Sequence, residues 1–193
     1  MTGSKTDALD AFLLEALDSS ADDLEADSLV GQLPALAAPS GLRERILAAA
    51  TPADRLARFA PSIARLLELE LPAARALLLR IDEPSVWLNI YPGIDFLPAP
   101  GGPSVRAALR GFVRVRAGVE FPEHEHLGEE TVMIMQGYYA DGATGAVFGP
   151  GDSPKHAERS QHSFRVLADG PDLLGLVVAQ GGVRTQQQEF LPL

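Results

Sequence analysis

The spacing of hydrophobic positions along this chain changes near residue 85. Before it, apolar residues recur three and four apart: Leu9, Phe12, Leu13 and Leu17, then Leu42, Ile46 and Ala49, then Leu56 and Phe59. Such spacing lays a stripe along one face of a helix. Pro52, Pro61 and Pro72 punctuate the series. Each falls where a helix can begin, because a first-turn N–H has no intrahelical partner to lose. The pattern predicts helices over 7–17 and 41–50, one starting at Pro52, one over 62–70 and one over 73–80. Ser19 or Ser20, ahead of Asp22 and Asp23, predicts a further capped helix. Residues 31–40, rich in Gly, Pro, Ala and Leu, read as a linker.

From Ser85 the period shortens to two. Aromatic and β-branched runs between Pro and Gly punctuation predict strands over 86–91, 94–97, 104–116, 130–139, 144–148, 162–167 and 173–179. Turns are expected at Asp141-Gly142, Gly149 to Asp152 and Asp169 to Pro171. The run Leu173 to Val178 suits a strand covered on both sides. Between 104 and 116 the alternation predicts one long bent strand or a half-buried pair. Val105, Leu109, Val113 and Val115 lie on one face, and Arg106, Arg110, Arg114 and Arg116 on the other. That arginine stripe is either a basic docking face or, the preferred reading, solvated charge or a partner for the acidic helices. The tail from Gln186 reads as an edge strand or a partly ordered end. Many short strands joined by tight turns make a mainly β fold, a sandwich or barrel, behind a helical N-terminal region. The divisions are 1–38, an acidic helical arm and linker; 39–84, a helical segment packing on the β unit; and 85–193, the β unit itself.

Charge sharpens this division. The net charge is -10, and residues 1–30 hold eight acids against one lysine. An acidic chain is a poor partner for nucleic acid or an anionic membrane. No apolar run reaches spanning length and the first ten residues do not read as a secretory signal, so the expectation is a cytoplasmic protein. Cysteine is absent, which excludes disulfides, thiolate metal sites and a cysteine nucleophile. No phosphate-binding glycine loop, dinucleotide fingerprint or serine nucleophile elbow is present.

The candidate chemistry lies in one stretch. All four histidines fall between 124 and 162. His124 and His126, two apart on a strand, point to the same face. Glu130 follows a turn around Gly128 and opens the next strand, so it can converge on them. Two imidazoles and a carboxylate suit zinc, iron, nickel, manganese or copper. A fourth ligand is expected from His162, which starts a strand whose inward series continues with Phe164 and Val166. His156 is the competitor, in a turn-rich stretch where pleating does not fix its direction. By parity Glu123 and Glu125 face away. Met133 and Met135 lie opposite Val132 and Ile134 and read as core or interface. Tyr138 and Tyr139 read as pocket mouth, core or interface.

These residues resemble the cupin family. Its first motif, G-x5-H-x-H-x3-E-x6-G, is met in full by Gly118, His124, His126, Glu130 and Gly137. Of the second, G-x5-P-x-G-x2-H-x3-N, the histidine is met by His162, but Ala157 and Arg159 stand where the family has Pro and Gly. The resemblance implies a cupin-type jelly roll holding one divalent metal ion, zinc foremost, with iron, nickel or manganese as alternatives. Over roughly 40–180 the chain is similar to the cupin domain of ChrR-type anti-sigma factors. The match rests on Leu42 to Leu47, Trp87 before Gly93, Phe121 to Glu130, and Gly137 to Asp141. In that family an N-terminal helical domain with an H-x3-C-x2-C zinc site holds a sigma factor. That site is missing here, since no cysteine and no histidine precede 124.

Three functions compete. The leading one is regulatory: a metal-loaded domain sensing a ligand or redox change, with helices that bind a protein partner, a sigma factor being suspected. The alternative is a metal-dependent enzyme, such as a dioxygenase, acting on a small organic molecule. The third is a metal that only braces the fold. A homodimer is the expected assembly.

Overall fold

A computed structural model of the chain describes residues 55–192. These lie within the compact unit Arg45–Leu193. The helices expected over 7–17, 19–27 and 41–50, the start at Pro52, and the linker fall outside the described residues. No described helix is long and apolar enough to cross a membrane.

A short 3-10 turn, Ala57–Phe59, leads into α1, Ala60–Leu67, and α2 spans Leu71–Arg80. Pro61 and Pro72 sit in the first turns of these helices, as their chemistry requires. Ala60, Ile63 and Leu67 form the buried stripe of α1. That helix ends earlier than expected. Glu68 takes a left-handed conformation, φ 54°, and its N–H caps the carbonyls of Ala64 and Arg65. Glu70 therefore serves as the N-cap residue of α2 instead of closing α1.

Twelve strands follow in chain order: β1 Leu88–Tyr91, β2 Ile94–Pro98, β3 Ala108–Val115, β4 Glu120–His126, β5 Glu130–Gln136, β6 Tyr139–Asp141, β7 Val147–Phe148, β8 Lys155–His156, β9 Gln161–Val166, β10 Leu173–Gln180, β11 Val183–Thr185 and β12 Glu189–Phe190. They form two six-stranded sheets, ordered β1-β2-β3-β10-β5-β8 and β12-β11-β4-β9-β6-β7. Every pairing is antiparallel. Among the described residues no ladder closes one sheet onto the other, so the sandwich-or-barrel expectation resolves to a β-sandwich. The expected strand 130–139 is broken at Gly137, whose φ is 75°. A Cβ there would lie 2.8 Å from the Asp172 carbonyl oxygen. The chain turns at this point and enters the other sheet as β6.

Two cores share the first sheet. On its outer face, Phe112, Met133, Met135, Leu174, Leu176 and Val178 pack under the helices, against Leu56, Ile63, Leu67, Leu77 and Leu78. On its inner face, Ile94, Val115, Ile134 and Leu173 meet Phe121, Tyr139 and Val166 of the second sheet. Each such side chain, fully buried, is worth about 1.5–3 kcal/mol. β10 is covered on both sides, as its unbroken apolar run predicts.

β3 is largely covered on both sides too, and the arginine stripe divides: Arg106 and Arg116, outside the strand, are exposed, while Arg110 and Arg114 are engaged within the fold. Arg114 ion-pairs with Asp95 at 3.0 Å and lies over the Trp87 ring at 4.4 Å. Arg110 donates to the carbonyls of Val105, Arg106 and Ala108. Both are half-buried, and neither is paired with an acidic residue of α1 or α2. The strand is also shorter than 104–116, because Pro103–Val105 forms a 3-10 turn.

Candidate metal centre

The site is assembled where three strands of the two sheets converge. In β4, Pro122 brings no N–H to the ladder, and the β4–β9 register slips between Phe121 and His124. That bulge re-aims the strand. Phe121, His124 and His126 all become buried although they differ in parity. His124 lies directly across from His162 of β9. Their ring centroids are 4.6 Å apart, and His126 lies 4.9 Å from His124 and 5.1 Å from His162. After His126 the chain crosses to the other sheet through Leu127, Gly128 and Glu129. A Cβ on Gly128 would come within 2.3 Å of the Gln180 carbonyl oxygen, so the corner has no room for a side chain. Glu130 then opens β5 and points back at the histidines.

One ligand atom from each of His124, His126, Glu130 and His162 lies within 4.8 Å of the others. All four residues are buried. Each imidazole is held by its Nδ1. His124 Nδ1–H donates to the Pro122 carbonyl at 3.0 Å. His126 Nδ1–H donates to the carbonyl and hydroxyl oxygens of Ser160, at 3.0 and 2.9 Å. His162 Nδ1–H donates to Asp141 Oδ2 at 2.5 Å. Carbonyls and carboxylates only accept, so the proton sits on Nδ1 and the Nε2 lone pair is left free. Among the described residues, the buried Nε2 atoms of His126 and His162 have no hydrogen-bond partner. His126 Nε2 stands 3.2 Å from Glu130 Oε2 but without hydrogen-bond geometry. A divalent cation satisfies all of these groups at once, and the residues fit one. The N3O donor set is tetrahedral-capable and has borderline-to-hard character.

Electrostatics keep the donors in ligating form. Burial pushes the His124 imidazolium down to about 4, so the ring is neutral near neutral pH. Burial alone would raise Glu130. The His126 contact and the charge of the neighbouring imidazoles outweigh it and hold the carboxyl below its usual value. Burial likewise opposes ionisation of Asp141, yet His162 and Thr144 hold it down to about 2.

Asp141 and Ser160 are parts of the site that the sequence reading missed. Asp141 reads as half of an Asp-Gly turn; its meaning comes from β6 lying beside β9, which no local signal shows. Its Oδ1 is fully engaged, accepting from Ala143 N, Thr144 N and Thr144 Oγ1 at 3.1, 2.8 and 2.7 Å. His156 also differs from expectation. It is set by pleating after all, since β8 pairs with β5 and His156 faces Glu130. Its ring stacks on His126 at 4.9 Å and 12° and lies 4.2 Å from His162. Glu123 is exposed and Glu125 half-buried. Tyr139 is buried while Tyr138 is exposed.

No protein-family model matches the chain, and no curated protein matches it. Solved structures do. A chain of the Rhodobacter sphaeroides complex of SigE with the anti-sigma ChrR aligns with TM-score 0.50 and 20% identity, over 79% of this chain and 73% of that one. A Ralstonia eutropha protein of cupin-like fold aligns with TM-score 0.44 and 18% identity, over 52% of this chain and 65% of its own. An Acinetobacter johnsonii acetylacetone dioxygenase aligns with TM-score 0.46 and 11% identity, over 57% and 82%. At these identities the likeness is one of fold: a cupin-like β-sandwich with helices before it, here carrying a His/Glu cluster and no cysteine.

Proposed function

We propose that this chain holds one divalent metal ion between the Nε2 atoms of His124, His126 and His162 and a carboxylate oxygen of Glu130. In this reading it works as a metal-loaded regulator that senses a small ligand or an oxidant and answers to a protein partner. The observation that carries the metal is the buried convergence of four donors, three of them imidazoles whose Nδ1 atoms are already committed elsewhere. Zinc is the ion we expect, with iron, nickel and manganese compatible with the same donors. A bound ion would supply Lewis acidity or, if redox-active, a place for oxygen chemistry. Asp141 and Ser160 orient the rings that would hold it.

The regulatory half of the reading is supported by the likeness to a chain of the SigE–ChrR complex, which runs over 79% of this chain. The acidic arm of residues 1–38 is our candidate docking element, and a sigma factor is the class of partner to test. Elemental mass spectrometry of the purified full chain should find one metal per chain. His126→Ala should remove most of it, and unchanged stoichiometry rejects the site. Co-purification with a sigma factor supports the partner assignment; its absence at stoichiometric bait rejects it.

A second reading, a metal-dependent enzyme such as a dioxygenase, is favoured by one observation: an apolar cavity opens beside the donors. Oxygen uptake by iron-loaded protein over a panel of small organic molecules separates the two readings. Uptake above the metal-free control supports the enzyme.

A further inference from the structure

The cavity beside the four donors has a volume of about 80 Å³. It lies between the sheets, and its walls are apolar. Phe96, Leu109, Val113, Val132, Val177 and Phe190 are among them. Its ionisable lining is gathered at the cluster, where His124, Glu130, His162 and His156 line it, and Tyr139 lines it as well. His156 Nε2 is buried and has no hydrogen-bond partner among the described residues. Its ring is locked against those of His126 and His162, yet it stands outside the group of four convergent donors. A buried imidazole nitrogen left unpaired beside an open space points to a group that arrives from that space.

Charge narrows what that group is. A divalent ion held by three neutral imidazoles and one carboxylate keeps one positive charge among its direct donors; Asp141 offsets it only from behind the His162 ring, and of the two carboxylates only Glu130 lines the cavity. Uncompensated charge there is costly. A single negative charge on an oxygen donor would face the ion from the open side; a second, farther along the ligand, would lie unpaired among the apolar walls.

We infer that this cavity binds a small monoanionic oxygen donor with an apolar body, its charged head between the metal and His156 Nε2 and its body among Leu109, Val113, Val132 and Val177. This inference rests on the metal reading above. A volume of about 80 Å³ holds on the order of six water-sized groups. That corresponds to a head with a body of roughly three to five carbons.

The test uses full-length protein whose metal content has first been measured. Unbranched carboxylates from acetate to octanoate are titrated by calorimetry, with malonate and succinate as doubly charged controls. Affinity should climb about fourfold per methylene, stop near a five-carbon acid and then fall. The dicarboxylates should bind at least tenfold more weakly than monocarboxylates of equal length. Val177→Phe should shift the optimum to shorter acids and Val177→Ala to longer ones, both with metal content unchanged. His156→Phe should weaken every monocarboxylate alike and leave the metal in place. A flat series on metal-loaded protein, or dicarboxylates that bind as well, overturns the inference while leaving the metal site standing. Loss of metal in His156→Phe overturns the role given to His156. A chain that loads no metal brings down the metal reading and this inference with it.

Discussion

Asp141→Asn is the most informative single change at the candidate metal centre. Asn has the same shape as Asp but offers one acceptor oxygen and one NH2 group. In the parent, Oδ1 accepts from Ala143 N, Thr144 N and Thr144 Oγ1, and Oδ2 accepts from His162 Nδ1–H. The three donors would claim the amide oxygen, which turns the NH2 group toward His162. Nδ1 must then accept, the proton moves to Nε2, and the atom meant for the metal loses its lone pair. The change thus reaches the site through the tautomer of one ring. Loss of such a partner costs typically 10- to 100-fold in metal affinity, or about 1.4–2.7 kcal/mol. A wrong-tautomer ring places the expectation at or beyond the upper end. The assay is competition against a chromophoric chelator, with near-ultraviolet circular dichroism to verify the fold. Affinity within threefold of the parent, in a folded variant, refutes the assignment of Asp141 as the residue that positions His162.

Other expectations concern stability. The metal-free protein should weaken as pH falls. His124 titrates at about 4 in the fold against 6.5 for an unperturbed imidazole. Between those values the unfolded chain binds a proton that the folded chain refuses, so stability is whole above about 6.5 and drains away toward 4. The full span is worth about 3 kcal/mol; a urea midpoint unchanged between pH 7 and 4.5 refutes it. Gly137→Ala combines a left-handed backbone with a Cβ 2.8 Å from the Asp172 carbonyl oxygen. It should cost about 2 kcal/mol or more in equilibrium unfolding, and a loss under about 0.5 kcal/mol would show that the turn has slack.

Period-two reasoning brings out the common face of His124 and His126, because side-chain direction along a strand is local information. Glu130 is visible through its spacing after the turn. What local pattern cannot carry is pairing. Asp141 and His162 are 21 residues apart and meet only because β6 lies beside β9. His156 belongs to a two-residue strand, too short to show any alternation, and its direction is set by Glu130 across the ladder. The arginines of β3 mislead for another reason. Their stems and planar heads can lie along apolar surface, as Arg114 does over Trp87, so a charged position need not be a wet one. The early end of α1 rests on Glu68, a residue with no preference for the left-handed conformation it adopts.

β5 separates two interiors with a single layer of backbone. Glu130, Val132 and Ile134 belong to the cavity side, Met133 and Met135 to the helix side. An ordinary amphipathic strand that slips by one residue trades buried groups for wet ones. Here the same slip would turn the Glu130 carboxylate to the helix side and bring thioethers into the cavity wall, so both compartments would fail together. Insertions and deletions in this strand are thus penalised on both of its faces at once.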